Sequence, residues 1–160
     1  ASPAVLGHLS KNIRIAVLKT PLVDEDVGIC ASIRIVNPQS MTQADFVKGG
    51  TATGEMLDFL AECIRYGISV CVAGATSSGK TTLAGWVLTT VPDSKRIFTI
   101  ENGSRELDLV RVKEGKVMNR VIHTLTRDSE NEKQTVDQDD LLDMALRFNP
   151  DSVCVGDMRS

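Results

Sequence analysis

Residues Gly74-Ala75-Thr76-Ser77-Ser78-Gly79-Lys80-Thr81 satisfy the pattern G-x-x-x-x-G-K-[ST] at every required position. A chain carrying this octapeptide is constrained to set it between a strand and a helix, because phosphate binding uses both. Glycines let the backbone curl so that successive N–H groups point inward at phosphate oxygens, and the helix N-terminus behind them adds partial positive charge. The flanks fit this arrangement. Ile68-Ser69-Val70-Cys71-Val72-Ala73 is a short apolar, β-branched run that reads as a buried strand. Thr82-Leu83-Ala84-Gly85-Trp86-Val87-Leu88 continues with apolar residues at helical spacing. In such a loop Gly74 to Thr82 bind the triphosphate tail, Lys80 reaches the β and γ phosphates, and the Thr81 hydroxyl ligates Mg²⁺. The competing reading is a Gly/Ser-rich turn between strand and helix; the complete pattern and its flanks weigh against it.

The rest of the composition excludes more than it suggests. The 160 residues are enough for one domain with a core, or one domain plus part of another. A net charge of -3 gives no bulk electrostatic reason to expect nucleic acid, and 4% aromatics leave little for base stacking. Direct nucleic-acid binding is therefore not indicated. No apolar run approaches the ~18 residues that span a bilayer, so a soluble chain is expected. Cys30, Cys63, Cys71 and Cys154 form no C-x-x-C pair, and His8 and His123 stand alone, so sequence neighbours build no metal cluster. The cysteines read as small core hydrophobes of a reducing cytoplasm, with Cys71 and Cys154 inside buried strands.

Along the chain, Ile13–Leu18 and Cys30–Val36 are strand-like, each with an arginine alternating with apolar neighbours to give one wet and one dry face. Asn37-Pro38-Gln39-Ser40 reads as a linker. Helix–strand alternation follows. Thr42 caps a short helix with Asp45 three residues on, and Gly49-Gly50 ends it. Met56, Leu57, Leu60, Ala61 and Ile64 form one face of a second helix, which Gly67 terminates. Arg96–Ile100 is a strand ending at Glu101. Residues 111–137 are mostly polar, with one candidate strand at Val121–Leu125. Leu141, Leu142, Ala145 and Leu146 mark an amphipathic helix over 138–148, and Ser152–Asp157 is a last apolar strand ending in a carboxylate. This alternation predicts an α/β fold with a mainly parallel sheet covered on both faces.

Nucleotide hydrolysis asks for acids as well as a cradle: one to hold the metal's water shell, another to orient the attacking water. Asp157 ends an apolar strand, as the acid of a Walker B segment does, at the sheet edge where open α/β sheets bind ligands. Glu101 ends another strand at what should be the same edge. The alternatives are a cap or turn residue for Asp157 and a solvated loop charge for Glu101.

Together these segments resemble the secretion traffic ATPases, the hexameric ATPases of type II secretion, type IV pili and type IV secretion or conjugation. Thr99-Ile100-Glu101 followed by Glu106-Leu107 is similar to that family's acidic box. Leu141 to Asp151, with Val155-Gly156-Asp157-Met158-Arg159, is similar to its helix, N-P-D turn and Walker B stretch. The likeness is nearest to the type IV secretion and tight-adherence pilus branch. The resemblance implies a RecA-like P-loop NTPase core preceded by the end of a β-rich N-terminal domain: residues 1–36 for that end, 37–41 for the linker, and 42–160 for the front of a motor domain truncated at its C-terminus. It also implies ATP and Mg²⁺ as ligands, a hexameric ring, a cytoplasmic place at the inner face of the membrane, and partners in secretion or pilus machinery there. Glu101 would handle the catalytic water and Asp157 would assist the metal, although the family usually has Glu at that position. Arg34, and more loosely Arg14, occupy strand positions similar to those whose arginines the family brings over the nucleotide; the alternative for each is a solvated arginine. Rival functions are a small P-loop phosphotransferase, which lacks an arginine-rich lid here, a GTPase, which lacks N-K-x-D, and a non-catalytic nucleotide-binding module.

Overall fold

The computed structural model describes residues 2–10, 13–35, 41–103, 105–127, 129 and 134–157. The chain divides into two compact units, Ala1–Pro38 and Gln39–Ser160. The linker expected at Asn37–Ser40 lies outside the described residues.

The first unit is an antiparallel meander of β1 (Ala4–Ser10), β2 (Ile13–Lys19) and β3 (Ile29–Ile35). The strands expected from the arginine-bearing runs are present; β1, whose Gly7 and His8 break the apolar pattern, was not foreseen. In the β2–β3 ladder Ile13 faces Ile35 and Ile15 faces Ile33, while Arg14 faces Arg34. The alternation therefore sorts isoleucines to one face and arginines to the other, as the period of two requires. The dry face is not buried, however. Ile29, Ile33 and Ile35 are 66%, 58% and 69% exposed, because three strands alone supply no second layer to cover them.

The second unit begins with α1 (Gln43–Lys48), whose capping box pairs Thr42 with Asp45 and which ends at Gly49. Helix α2 (Gly54–Arg65) starts from Thr53, which accepts from Met56 N–H, and gives way at Tyr66 to a left-handed Gly67. Leu57 is fully buried on it, but Met56 is 59% exposed and belongs outside the face assigned to it. Helix α3 (Lys80–Thr89) follows the glycine loop. The sheet is parallel, with β4 (Arg96–Glu101) between β7 (Arg120–Leu125) and β8 (Ser152–Val155). Between them a small hairpin, β5 (Val112–Lys113) with β6 (Lys116–Val117), turns through left-handed Glu114 and Gly115. Helix α4 (Gln138–Arg147) is capped by Asp137 with Asp140.

Central β4 is buried along Ile97 to Glu101, which fits a strand flanked on both edges and covered on both faces. On one face Ile97 packs with Leu88 and Val91 from α3 and its C-terminal turn, and with Leu107 and Leu109. On the other, Phe98 and Ile100 pack with Ala145 and Leu141 of α4. Leu142 and Leu146, assigned to that core from the sequence, are 41% and 73% exposed; they share a helical row one step round from Leu141 and Ala145. A third cluster joins Phe46, Leu57, Trp86 and Val87, with the Phe46 and Trp86 rings edge to face at 5.8 Å.

One expected element is missing. Ile68–Ala73 forms no strand, and Ile68 is 54% exposed. A β-strand exists through its ladder, and among the described residues this run has no strand beside it; Ile68 N–H instead donates to Cys63 O at 2.8 Å. Cys71 and Cys30 are correspondingly exposed, against the core placement expected of them, while Cys63 is buried.

Candidate functional site

The octapeptide forms a loop over residues 74–79 and runs into the first turn of α3 at Lys80 and Thr81, and its two glycines are required for different reasons. A Cβ on Gly74 would stand 2.8 Å from Ser78 Oγ, so that position is set by close packing. Gly79 has open space around it but a φ of 91°, a backbone angle L-residues avoid. Ser77 is also left-handed, at φ 61°. Ser78 N–H donates to Ala75 O at 3.2 Å, and Lys80 Nζ donates to the same carbonyl at 2.8 Å, drawing the lysine back across the loop. Helices α1, α2 and α4 each have a side-chain N-cap, from Thr42, Thr53 and Asp137. Helix α3 has none: Gly79 occupies its N-cap, so the first N–H groups keep their hydrogen-bonding capacity and the dipole stays open. Thr81 and Thr82, in that first turn, are exposed. A cleft of about 260 Å³ lies beside the loop, lined by Met41, Phe46, Thr51, Val72, Lys80 and Leu83 among others.

The parallel β4–β8 ladder carries Glu101 and Gly156-Asp157 to one sheet edge. Ile100 pairs with Val155, and Gly156 N–H donates to Ile100 O at 2.8 Å, so the chain continues beside Glu101. Asp157 is exposed there, with a left-handed φ of 54° that aspartate tolerates better than most residues. Glu101 is no solvated loop charge. It is 4% exposed, and its Oε1 accepts from the backbone N–H groups of Glu106 at 2.6 Å and Leu107 at 2.9 Å. This gives the spacing between Glu101 and Glu106-Leu107 a physical reason: the carboxylate ties down the chain that follows β4. Leu107 in turn packs under α3, since a Cβ on Gly85 would meet its Cδ2 at 3.4 Å.

Residues the sequence did not single out surround Glu101. Register places Thr99 between His123 on β7 and Cys154 on β8. Thr99 Oγ1 and His123 Nδ1 are 2.8 Å apart, and His123 Nδ1 lies 3.8 Å from Glu101 Oε2. Burial, with the Glu101 charge adding to it, pushes the Cys154 thiol up to about 11, so it stays neutral at physiological pH. A signal for this cluster was present in the alternation of two strands, but only their parallel pairing reveals that it is shared. Arg14 and Arg34 lie in the first unit, apart in sequence from the loop and both carboxylates.

Residues 5–160 match a family model described as type II/IV secretion system protein. The chain belongs to this family. It is 30% identical over 160 residues, all of its length, to an uncharacterized protein of Methanocaldococcus jannaschii. It is 30% identical over 105 residues to the type IV secretion system protein VirB11 of Bartonella quintana, and 34% identical over 102 residues to PtlH of Bordetella pertussis, 66% and 64% of this chain. It spans 27% of the archaeal protein, 27% of that VirB11 and 28% of PtlH. Among solved structures it is similar to the VirB11 ATPase of the Brucella suis type IV secretion system in complex with sulphate. That likeness covers 99% of this chain and 51% of the other at 21% identity, with a TM-score of 0.48. Among the described residues, no helix of this family member is long and apolar enough to cross a membrane.

Proposed function

We propose that the chain is part of an ATP-hydrolysing motor that powers type IV secretion, conjugative transfer or pilus assembly, working as a ring at the inner face of the membrane. Membership of the type II/IV secretion family supports the setting. The observation that carries the nucleotide reading is the complete phosphate loop leading into α3 without a side-chain cap, while the other three helices are capped.

Gly74 to Thr82 bind the triphosphate in this reading. Lys80 exchanges its bond to Ala75 O for the β and γ phosphates. The apolar cleft lined by Met41, Phe46 and Val72 suits the base. The exposed Thr81 hydroxyl and Asp157 carboxylate are hard oxygen donors of the kind Mg²⁺ selects, with Asp157 acting through water. When bound, that ion offsets charge on the phosphoryl oxygens. Glu101 has Oε1 committed to two backbone donors, while Oε2 is buried without a hydrogen-bond partner; in this reading Oε2 would orient the attacking water and take its proton once the bound nucleotide admits that water. Arg34 and Arg14 neutralise the γ-phosphate as its charge builds. Turnover then moves the N-terminal unit against the motor domain through residues 37–41.

The test is calorimetry of ATP binding together with turnover of the complete protein. Lys80→Ala is expected to abolish tight binding, and Thr81→Ala to weaken mainly its Mg²⁺-dependent part. Wild-type affinity in the Lys80 variant overturns the loop assignment. Tight binding without turnover in the complete wild type leaves a binding module in place of a motor.

A further inference from the structure

Glu101, Thr99 and His123 project from one face of the β4–β7 pair, because residues 99 and 101 are two apart on β4 and Thr99 is the register partner of His123. The side chains of His123 and Glu101 are 9% and 5% exposed. Each retains one buried atom without a hydrogen-bond partner: Oε2 of Glu101 and Nε2 of His123. A buried carboxylate oxygen left in that state is costly, whereas a donor aimed at it stabilises the ionised form. His123 Nδ1 faces it from 3.8 Å and is already 2.8 Å from Thr99 Oγ1. Thr99 is fully buried, and its own backbone carbonyl accepts from the Thr124 hydroxyl at 2.7 Å, so the ring is braced from both strands. On the opposite flank Cys154 remains a neutral thiol and adds no charge.

We propose that His123 is a positioning residue for Glu101: the ring carries its proton on Nδ1, donates it to Thr99 Oγ1, and holds that N–H dipole 3.8 Å from Glu101 Oε2, which biases the direction of that oxygen electrostatically. The negative oxygen selects this tautomer, because the Nε2–H form would turn a lone pair toward it. The consequence for hydrolysis rests on the reading of Glu101 as the group that orients water. The contact itself does not.

The chain holds two histidines, His8 and His123, so long-range ¹H–¹⁵N correlation spectra of the full chain resolve both rings. The expected result is the Nδ1–H tautomer at His123, with ring shifts that move in Glu101→Gln while those of His8 stay. An Nε2–H tautomer in the wild type, or identical His123 signals in both proteins, overturns the proposal. Should Glu101→Gln not fold, Glu101→Asp, which retracts the carboxylate, takes its place with the same expectation. In the complete ATPase, His123→Asn keeps an N–H near the Nδ1 position and His123→Gln moves it away. We expect His123→Gln to lower kcat about tenfold with KM unchanged, a change of ~1.4 kcal/mol in the barrier, and His123→Asn to recover most of that loss. Equal loss in both variants also overturns the proposal. A wild type that turns over no ATP defeats the catalytic reading of Glu101 and leaves the spectra to decide the contact.

Discussion

Arg14 and Arg34 stand opposite each other in the β2–β3 ladder as direct register partners. The register sets these two side chains on one sheet face, so a change at either is felt by the other. The γ-phosphate role proposed for them is therefore tested on the pair. Arg34→Ala is expected to cut ATP turnover while leaving ADP affinity nearly unchanged, since ADP lacks the phosphate being contacted. Because the two residues are neighbours, the Arg14→Ala, Arg34→Ala double variant should lose less than the product of the single losses. A matched loss of ADP affinity would return both arginines to ordinary surface charges.

Glu101 holds two backbone amides in the structure and has a catalytic duty in the proposed function, and two substitutions divide the two. Glu101→Gln retains a carbonyl oxygen for the Glu106 and Leu107 amides, so the fold and nucleotide affinity should survive while turnover falls roughly a hundredfold or more. Glu101→Leu removes the acceptor and leaves two backbone donors to find others. It should lower stability by ~1–3 kcal/mol per stranded donor, seen as a lower midpoint in chemical denaturation. Equal stability of the Gln and Leu variants would show that these two bonds do not hold the 102–107 segment.

Asp157 sits at a left-handed φ of 54°. Asn adopts that region as readily as Asp, so Asp157→Asn should keep the fold and ATP binding and lose catalysis. Asp157→Glu supplies the acid the resembling family usually has, but on a backbone angle less suited to it. Turnover should persist with a modest drop in Tm. Complete loss of turnover in the Glu variant would mean the site is built around the shorter acid.

Acid sensitivity should show at two carboxyls held below the ordinary range, Asp45 in the α1 capping box, through its bonds to Thr42, and Asp151 just before β8. Asp151 accepts from Lys95 Nζ and from Arg96 N–H, both at 2.8 Å, and these bonds, the lysine's first, hold its carboxyl below the ordinary 3.8. A carboxyl lowered by folding stabilises the fold above its unfolded value, and that contribution is lost as pH falls through the folded value. Asp151→Asn should therefore lower Tm near neutral pH and flatten the further decline of Tm below about pH 4. Parallel Tm curves for variant and wild type across that range would remove Asp151 from the account.

The elements most legible from sequence were those whose signals are local. Thr42 with Asp45, Gly67 after α2, and the apolar run ending at Glu101 each declare their boundaries within a few residues. So does the glycine loop. What failed depended on partners far away in the chain. Ile68–Ala73 has the composition of a strand but not the neighbour that makes one, and Leu142 and Leu146 have the period of a buried face but sit one row off it. The isoleucines of β3 alternate correctly yet stay exposed. His123 illustrates the same limit at the site: as a lone histidine it carried no message, and only its pairing with Thr99 sets it against Glu101. Leu107, Leu109 and Asn119 are buried in or beside a stretch with little periodicity. Asn119 Nδ2 donates to Leu109 O at 2.7 Å and its Oδ1 accepts from Arg111 N–H at 2.9 Å, so the order there comes from one side chain bridging two backbone positions.

Helix α3 is where ligand and secondary structure become one equilibrium. Thr42, Thr53 and Asp137 close their helices with groups the chain always carries, each worth about 0.5–2 kcal/mol. At Gly79 no side chain does so. In the proposed function a phosphate bound there would act as an interchangeable capping residue supplied from solution, one that could be exchanged within a catalytic cycle as no side chain can. The first turn of α3, and through Gly85 and Leu107 the segment tied to Glu101, would then stiffen and relax with nucleotide concentration. Hydrolysis would thus be sensed as a change in how firmly a helix begins.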